Sequence, residues 1–137
     1  MCISLALRAK LRTGLEVRPS LSLSLNRKDL GLLEDLQAFF GCGWIRESRP
    51  DRTFKYEVRS IGELTEVILA HFERFPLRGY KAQSCAGFAH VCRMVEQGDH
   101  LRRVGLREIV GIAYQTNLGK RRHSEATLLR VLDEVKG

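Results

Sequence analysis

Within residues 17–60 the hydrophobic period changes twice, which calls for strands and a helix in one short stretch. From Val17 to Leu25 the apolar residues Val17, Leu21, Leu23 and Leu25 alternate with Arg18, Ser20, Ser22 and Ser24. Period two predicts a strand with one apolar and one polar face. From Asp29 onward Leu32, Leu33, Leu36, Phe39 and Phe40 fall on a single helical stripe. Beyond Gly41 alternation returns over 44–49 and 53–59, where Phe54, Tyr56 and Val58 share a side. The stretch reads as strand, helix, strand, strand.

The rest of the chain extends this order. Cys2–Lys10 alternates Ile3, Leu5 and Leu7 against Ser4, Ala6, Arg8 and Lys10, and Thr13-Gly14 supplies a turn, so a hairpin is expected at the start. Asn26 and Gly41 are the expected caps of the first helix. Pro50-Asp51 marks the turn between the next two strands. Ser60 and Glu63 form a capping-box pattern opening a second helix, with Leu64, Val67, Ile68, His71, Phe72 and Phe75 as its buried stripe and Pro76 as its end. Further helices are expected over 81–97, over 104–116, and from Ser124 with Leu128, Leu129, Leu132 and Val135 together. Without linkers or repeats, residues 1–137 read as a single α+β domain. It comprises a four-stranded antiparallel sheet in ββαββα order, backed by helices, with additional C-terminal helices.

The polar positions of the strands point toward function. Opposite the apolar face lie Arg18, Ser20, Ser22, Ser24, Arg46, Ser48, Thr53, Lys55 and Arg59, joined by Arg8 and Lys10 from the first strand. Glu16 and Glu57 share this parity. Guanidinium and ammonium groups neutralise phosphates, and short hydroxyl side chains allow close approach, so the face suits a polyanion. It equally suits the solvated side of an ordinary antiparallel sheet. The net charge of +7 is divided between the halves, with 11 basic and 7 acidic residues in 1–60 and 12 and 9 in 61–137. The bias is therefore no mere basic tail, and it favours nucleic acid over an acidic protein partner. The cluster Lys120-Arg121-Arg122-His123 fits either a phosphate clamp or a soluble interhelical loop.

Several chemistries lack their residues. The four cysteines (Cys2, Cys42, Cys85, Cys92) have no metal-ligand spacing and fit a reducing cytoplasm. His71, His90, His100 and His123 show no metal spacing, and His71 on an apolar stripe reads first as a core histidine. No phosphate-binding glycine loop or nucleophile elbow is visible. No apolar run is long enough to span a membrane, and residues 3–7 are too short for a signal peptide. The acidic residues Glu34, Asp35, Glu63 and Glu66 fall on outward helix positions. On its own residues the chain argues for binding rather than catalysis.

The ordered phrases LSLSLN (21–26), DLGLLEDLQAFFGCGWI (29–45), YEVRS (56–60), PLRGYK (76–81) and LREIVGIAYQTNL (106–118) resemble the LAGLIDADG homing endonucleases. The resemblance implies a curved sheet lying in the major groove of double-stranded DNA, with the polar parity as the reading surface. It also implies metal-dependent phosphodiester cleavage, with Mg²⁺ as cofactor and Lys81, five residues after Pro76, as the basic catalytic residue. The departures are specific. The family's namesake helix, which carries the metal-binding acid and forms the interface between half-sites, has no counterpart before Cys2, and no Asp or Glu stands before Glu16. Leu25 falls where the family often places a glutamine, and no metal ligands are expected. The implied function is site-specific DNA recognition, with cleavage only where the acidic helix is restored and a homodimer only where that helix exists. A non-catalytic regulatory module and an RNA maturase are the alternatives. A misassigned start and a degenerate remnant both account for the missing helix, and either leaves apolar surface for a partner to cover.

Overall fold

The computed structural model describes residues 1–116 and 123–134. Four strands, β1 (Cys2–Leu7), β2 (Leu15–Asn26), β3 (Trp44–Ser48) and β4 (Thr53–Val58), form one antiparallel sheet in the order β1-β2-β4-β3. β2 serves two partners in succession. Its Leu15–Ser20 half pairs with β1, and its Leu21–Asn26 half pairs with β4. This arrangement accommodates Pro19, which lacks an N–H, because at that point β2 has a strand on one side only.

The connections follow from their residues. Asn26 accepts a hydrogen bond from the Lys28 N–H and opens a 3₁₀ turn that leads into α1 (Leu30–Phe40). Gly41 ends α1 at φ 70°, a conformation that suits a residue without Cβ. The Ser60 hydroxyl accepts from the Glu63 N–H and starts a continuous rod composed of α2 (Ile61–Glu63), a π-helical segment (Leu64–Leu69) and α3 (Ala70–Arg74). The widened π segment was invisible to periodicity. In its first turn the Thr65 hydroxyl lies 2.9 Å from the Glu96 carboxylate and 3.0 Å from the Ile61 carbonyl. α4 (Tyr80–Glu96), α5 (Arg103–Gln115) and α6 (Glu125–Glu134) follow, the last opened by the Ser124 hydroxyl accepting from the Thr127 N–H.

The core lies between the lower face of the sheet and the helices. Ile3, Leu15, Val17, Tyr56 and Val58 of the strands meet Leu33, Leu64, Ile68, Phe88, Val91, Leu106, Ile109 and Val110. The helical stripes are narrower than periodicity suggests. Leu32 and Phe39 of α1 and Phe75 after α3 are exposed, while Leu69, Val91 and Met94 are buried instead. Glycine closes the tightest contact on the helical side. A Cβ on Gly105 would lie 2.0 Å from the Asp99 carbonyl oxygen, so only glycine lets α5 begin against the preceding turn.

Candidate nucleic-acid interface

The ladder register sets which side chains share the upper face. β2, β4 and β3 bring Ser22, Glu57 and Trp44 into one cross-strand row, Ser24, Lys55 and Arg46 into the next, and Asn26, Thr53 and Ser48 into the third. β1 and β2 add Ser4 opposite Arg18 and Cys2 opposite Ser20. Arg8, one residue beyond β1, and Arg59, one residue beyond β4, reach back onto this face to Glu16 and Glu57. Lys10 differs from expectation. β1 ends at Leu7, and residues 8–14 form a turn closed by the Arg8 N–H donating to the Gly14 carbonyl, so Lys10 is exposed in a loop rather than aligned with the sheet.

Two carboxylates organise the cations. Glu16 pairs with Arg8 at 3.3 Å and with Arg18. The Glu57 side chain, 8% exposed, pairs with Arg59 at 2.8 Å, Lys55 at 3.6 Å and Arg46 at 3.7 Å. All these cations remain at least one-third exposed, so their outer donors stay available to a ligand. Serines line the floor, and a cavity of about 600 Å³ bounded by Ser4, Arg18, Ser20, Ser22, Lys55 and Arg59 opens beside them.

Some members of this surface are not among the residues expected from the sequence. Trp44 projects from edge strand β3 into the row of Glu57 and is 69% exposed. Its position on the polar parity was the signal. At the far end of the sheet Arg27, Lys28, Arg49 and Arg52 surround a cavity of about 710 Å³ with Asn26 and Glu47. These four come from turns, where alternation carries no information. The Pro50-Asp51 turn, with an arginine on each side, was the available clue, and Arg52 takes the left-handed conformation at φ 53° there. Lys120, Arg121 and Arg122 lie outside the described residues.

Lys81 is separate from the central cations. It is exposed in the first turn of α4 and lines a mostly apolar cavity of about 670 Å³ with Leu21, Ser22, Leu23, Phe39, Phe40 and Tyr80. Ser22 borders this cavity as well as the polar face and so joins the two regions. Leu25 cannot stand in for a polar residue of that face. It pairs with Phe54 and packs on the core side, and the neighbouring residue of correct parity is Ser24. His71 is half-buried among the rings of Phe39, Phe40, Phe72 and Phe75, with centroids 5.1–5.4 Å away.

The fit of a divalent ion rests on carboxylates. Among the described residues no three His, Cys, Asp or Glu side chains converge. The acids of the upper face, Glu16 and Glu57, are each occupied by cations. The described residues of this face do not fit such an ion. Among the described residues no helix is long and apolar enough to cross a membrane.

The family model described as LAGLIDADG endonuclease matches residues 2–92. A probable intron-encoded DNA endonuclease 1 of Mycosarcoma maydis is 32% identical over 118 residues, covering 86% of this chain and 41% of that protein. A probable intron-encoded endonuclease 3 of Neurospora crassa is 35% identical over 109 residues, covering 79% of this chain and 20% of that protein. The chain thus spans less than half the length of these relatives. Among solved structures, the homing endonuclease I-TnaI superposes with TM-score 0.82 at 28% identity over 98% of this chain and 88% of its own. I-SmaMI, bound to uncleaved DNA in the presence of calcium ions, gives TM-score 0.85 at 30% identity over 97% of this chain and 44% of its own.

Proposed function

The chain belongs to the LAGLIDADG endonuclease family, and on that premise we propose that it recognises double-stranded DNA through the upper face of its sheet. The observation that carries this reading is the register, which gathers Arg46, Lys55 and the hydroxyls of Ser22, Ser24, Ser48 and Thr53 into adjacent rows. Arg8, Arg18 and Arg59 flank these rows at their ends. Exposed cations positioned over short side chains contact phosphates while leaving room for base edges. I-SmaMI, similar over nearly the whole chain, binds DNA.

Binding by this face releases counterions. If about six phosphates are neutralised, affinity for a duplex falls roughly 10³-fold between 50 and 200 mM salt, measured by fluorescence anisotropy. An affinity indifferent to salt removes the electrostatic basis of the proposal.

Strand cleavage with Mg²⁺, in which Lys81 is the basic residue, is part of the reading only for a protein that brings an acidic ligand to the site. The chain alone is expected to bind without cutting, and nicking of a supercoiled plasmid by it in Mg²⁺ contradicts that expectation. The apolar groove of Leu21, Leu23, Phe39 and Tyr80 is the surface left for a partner to cover, a second copy of the chain where the N-terminal helix exists. A strictly monomeric sedimentation profile at high concentration argues against it. Four free cysteines support a reducing, cytoplasmic location. The RNA-splicing alternative relies on 120–122, and no described feature favours it.

A further inference from the structure

A carboxylate at the centre of a surface meant for a polyanion requires an explanation. Glu57 occupies the middle strand position of the upper face, between Ser22 on β2 and Trp44 on β3. It is 6% exposed overall, whereas Arg59, Lys55 and Arg46 stand above and around it. Facing phosphates directly, a carboxylate opposes binding. Covered by three cations, it cancels one of their three charges and fixes where the remaining positive charge lies.

The distances differ in a useful way. Arg59 is held at 2.8 Å, the length of a charge-assisted contact, while Lys55 and Arg46 stand off at 3.6 and 3.7 Å. One guanidinium is in direct contact with the carboxylate and two cations are drawn toward it at longer range, Lys55 from the same strand and Arg46 from the neighbouring one. Direct reading of a cytosine amino group by Glu57, which an exposed carboxylate can do, is obstructed by this cover. We infer that Glu57 is a specificity-positioning residue: it acts through Arg59, Lys55 and Arg46, holding them in one constellation and restraining their attraction to any phosphate backbone.

This inference rests on the DNA-binding reading above, and the experiment separates the two. A random-sequence 30-bp duplex pool is selected on the wild-type chain, and binding of the enriched duplex and of a scrambled duplex is measured against salt. For Glu57→Gln, scrambled-duplex affinity is expected to rise several-fold, because a negative charge has left the face. The salt slope is expected to steepen by about one phosphate equivalent, and the ratio of enriched to scrambled affinity to fall about tenfold. Arg59→Gln removes the nearest partner from the other side and lowers the same ratio, with the double variant losing less than the sum of the two. Glu57→Asp keeps the charge and restores the wild-type slope.

A purely structural carboxylate gives a different pattern. Equal weakening of both duplexes by Glu57→Gln, or an unchanged ratio and slope, overturns the inference while leaving DNA binding intact. A Glu57→Asp slope steeper than the wild-type slope by about one also overturns it, and this comparison with the wild type does not need the amide variant to fold. A wild-type chain that enriches no sequence yet binds the scrambled duplex with the expected salt slope overturns the inference alone, whereas one that binds no duplex overturns the DNA-binding reading as well.

Discussion

The two faces of β4 each bury a polar group, on consecutive residues, and secure it by opposite means. On the lower face Tyr56 is fully buried, and its hydroxyl donates to the Cys42 carbonyl at 2.6 Å. Gly43 packs against the phenol end of the ring, and the Gln37 side-chain amide donates to the Gly43 carbonyl at 2.9 Å. On the upper face the Glu57 carboxylate meets three cations at 2.8–3.7 Å, and those cations face solvent. The lower arrangement is directional and close-packed, so it fixes the loop that launches β3. The upper arrangement consists of charges whose outer donors can be shared with a ligand. The lower face therefore governs stability and the upper face governs affinity.

The largest expected effect lies below. A Cβ on Gly43 would approach the Tyr56 ring to 2.7 Å, at a backbone φ of 91° that L side chains rarely adopt. Gly43→Ala is expected to destabilise the fold by about 3 kcal/mol, roughly 10 °C in melting temperature, with DNA affinity unchanged wherever the protein stays folded. Thermal denaturation followed by circular dichroism measures this. A silent substitution would show that the ring and the loop are not packed as described.

The next effect lies above. Replacing Arg46 and Lys55 together by Ala is expected to weaken duplex binding ten- to a hundredfold and to flatten the salt slope by about two. Melting temperature should stay within a few degrees, since these side chains contribute no apolar core. Glu34→Ala on the exposed side of α1 is the control and should leave binding unaltered. Comparable losses from both changes would break the division between faces.

How far this division could be read from sequence depends on range. Alternation is local, so the four strands, their order along the chain and the residues on each face were legible, as were the caps Asn26, Gly41 and Ser60. Pairing is not local. Nothing in the alternation showed that β1 stops at Leu7, which moved Lys10 into a loop, or that β2 divides its length between β1 and β4. Periodicity marks the apolar side of a helix without showing how much of it is covered, so Leu32, Phe39 and Phe75 were expected to be buried and are exposed. The tip cations Arg27, Lys28, Arg49 and Arg52 come together across two turns, a proximity that only the folded chain creates. Glu57 was assigned to the correct face, yet its role as hub of three cations needed the register of β3 against β4.

The smallest effect tests Tyr56 by its ionisation. Burial, reinforced by the neighbouring Cys42 and Glu63, pushes its phenol up from 10 to about 12. The folded chain thus keeps a proton that the unfolded chain releases, and the associated stability is complete below pH 10 and lost as pH rises toward 12. Tyr56→Phe removes both the titration and the hydrogen bond to Cys42. It should cost about 1–2 kcal/mol near neutrality. It should also decline less steeply than the parent between pH 10 and 12, although Cys92, pushed up to about 12 chiefly by burial, still contributes in both proteins. Denaturant unfolding of parent and variant at pH 8, 10 and 11.5 measures the difference. Parallel curves would mean that the phenol ionises as easily in the fold as outside it, and that the lower face is not sealed at this point.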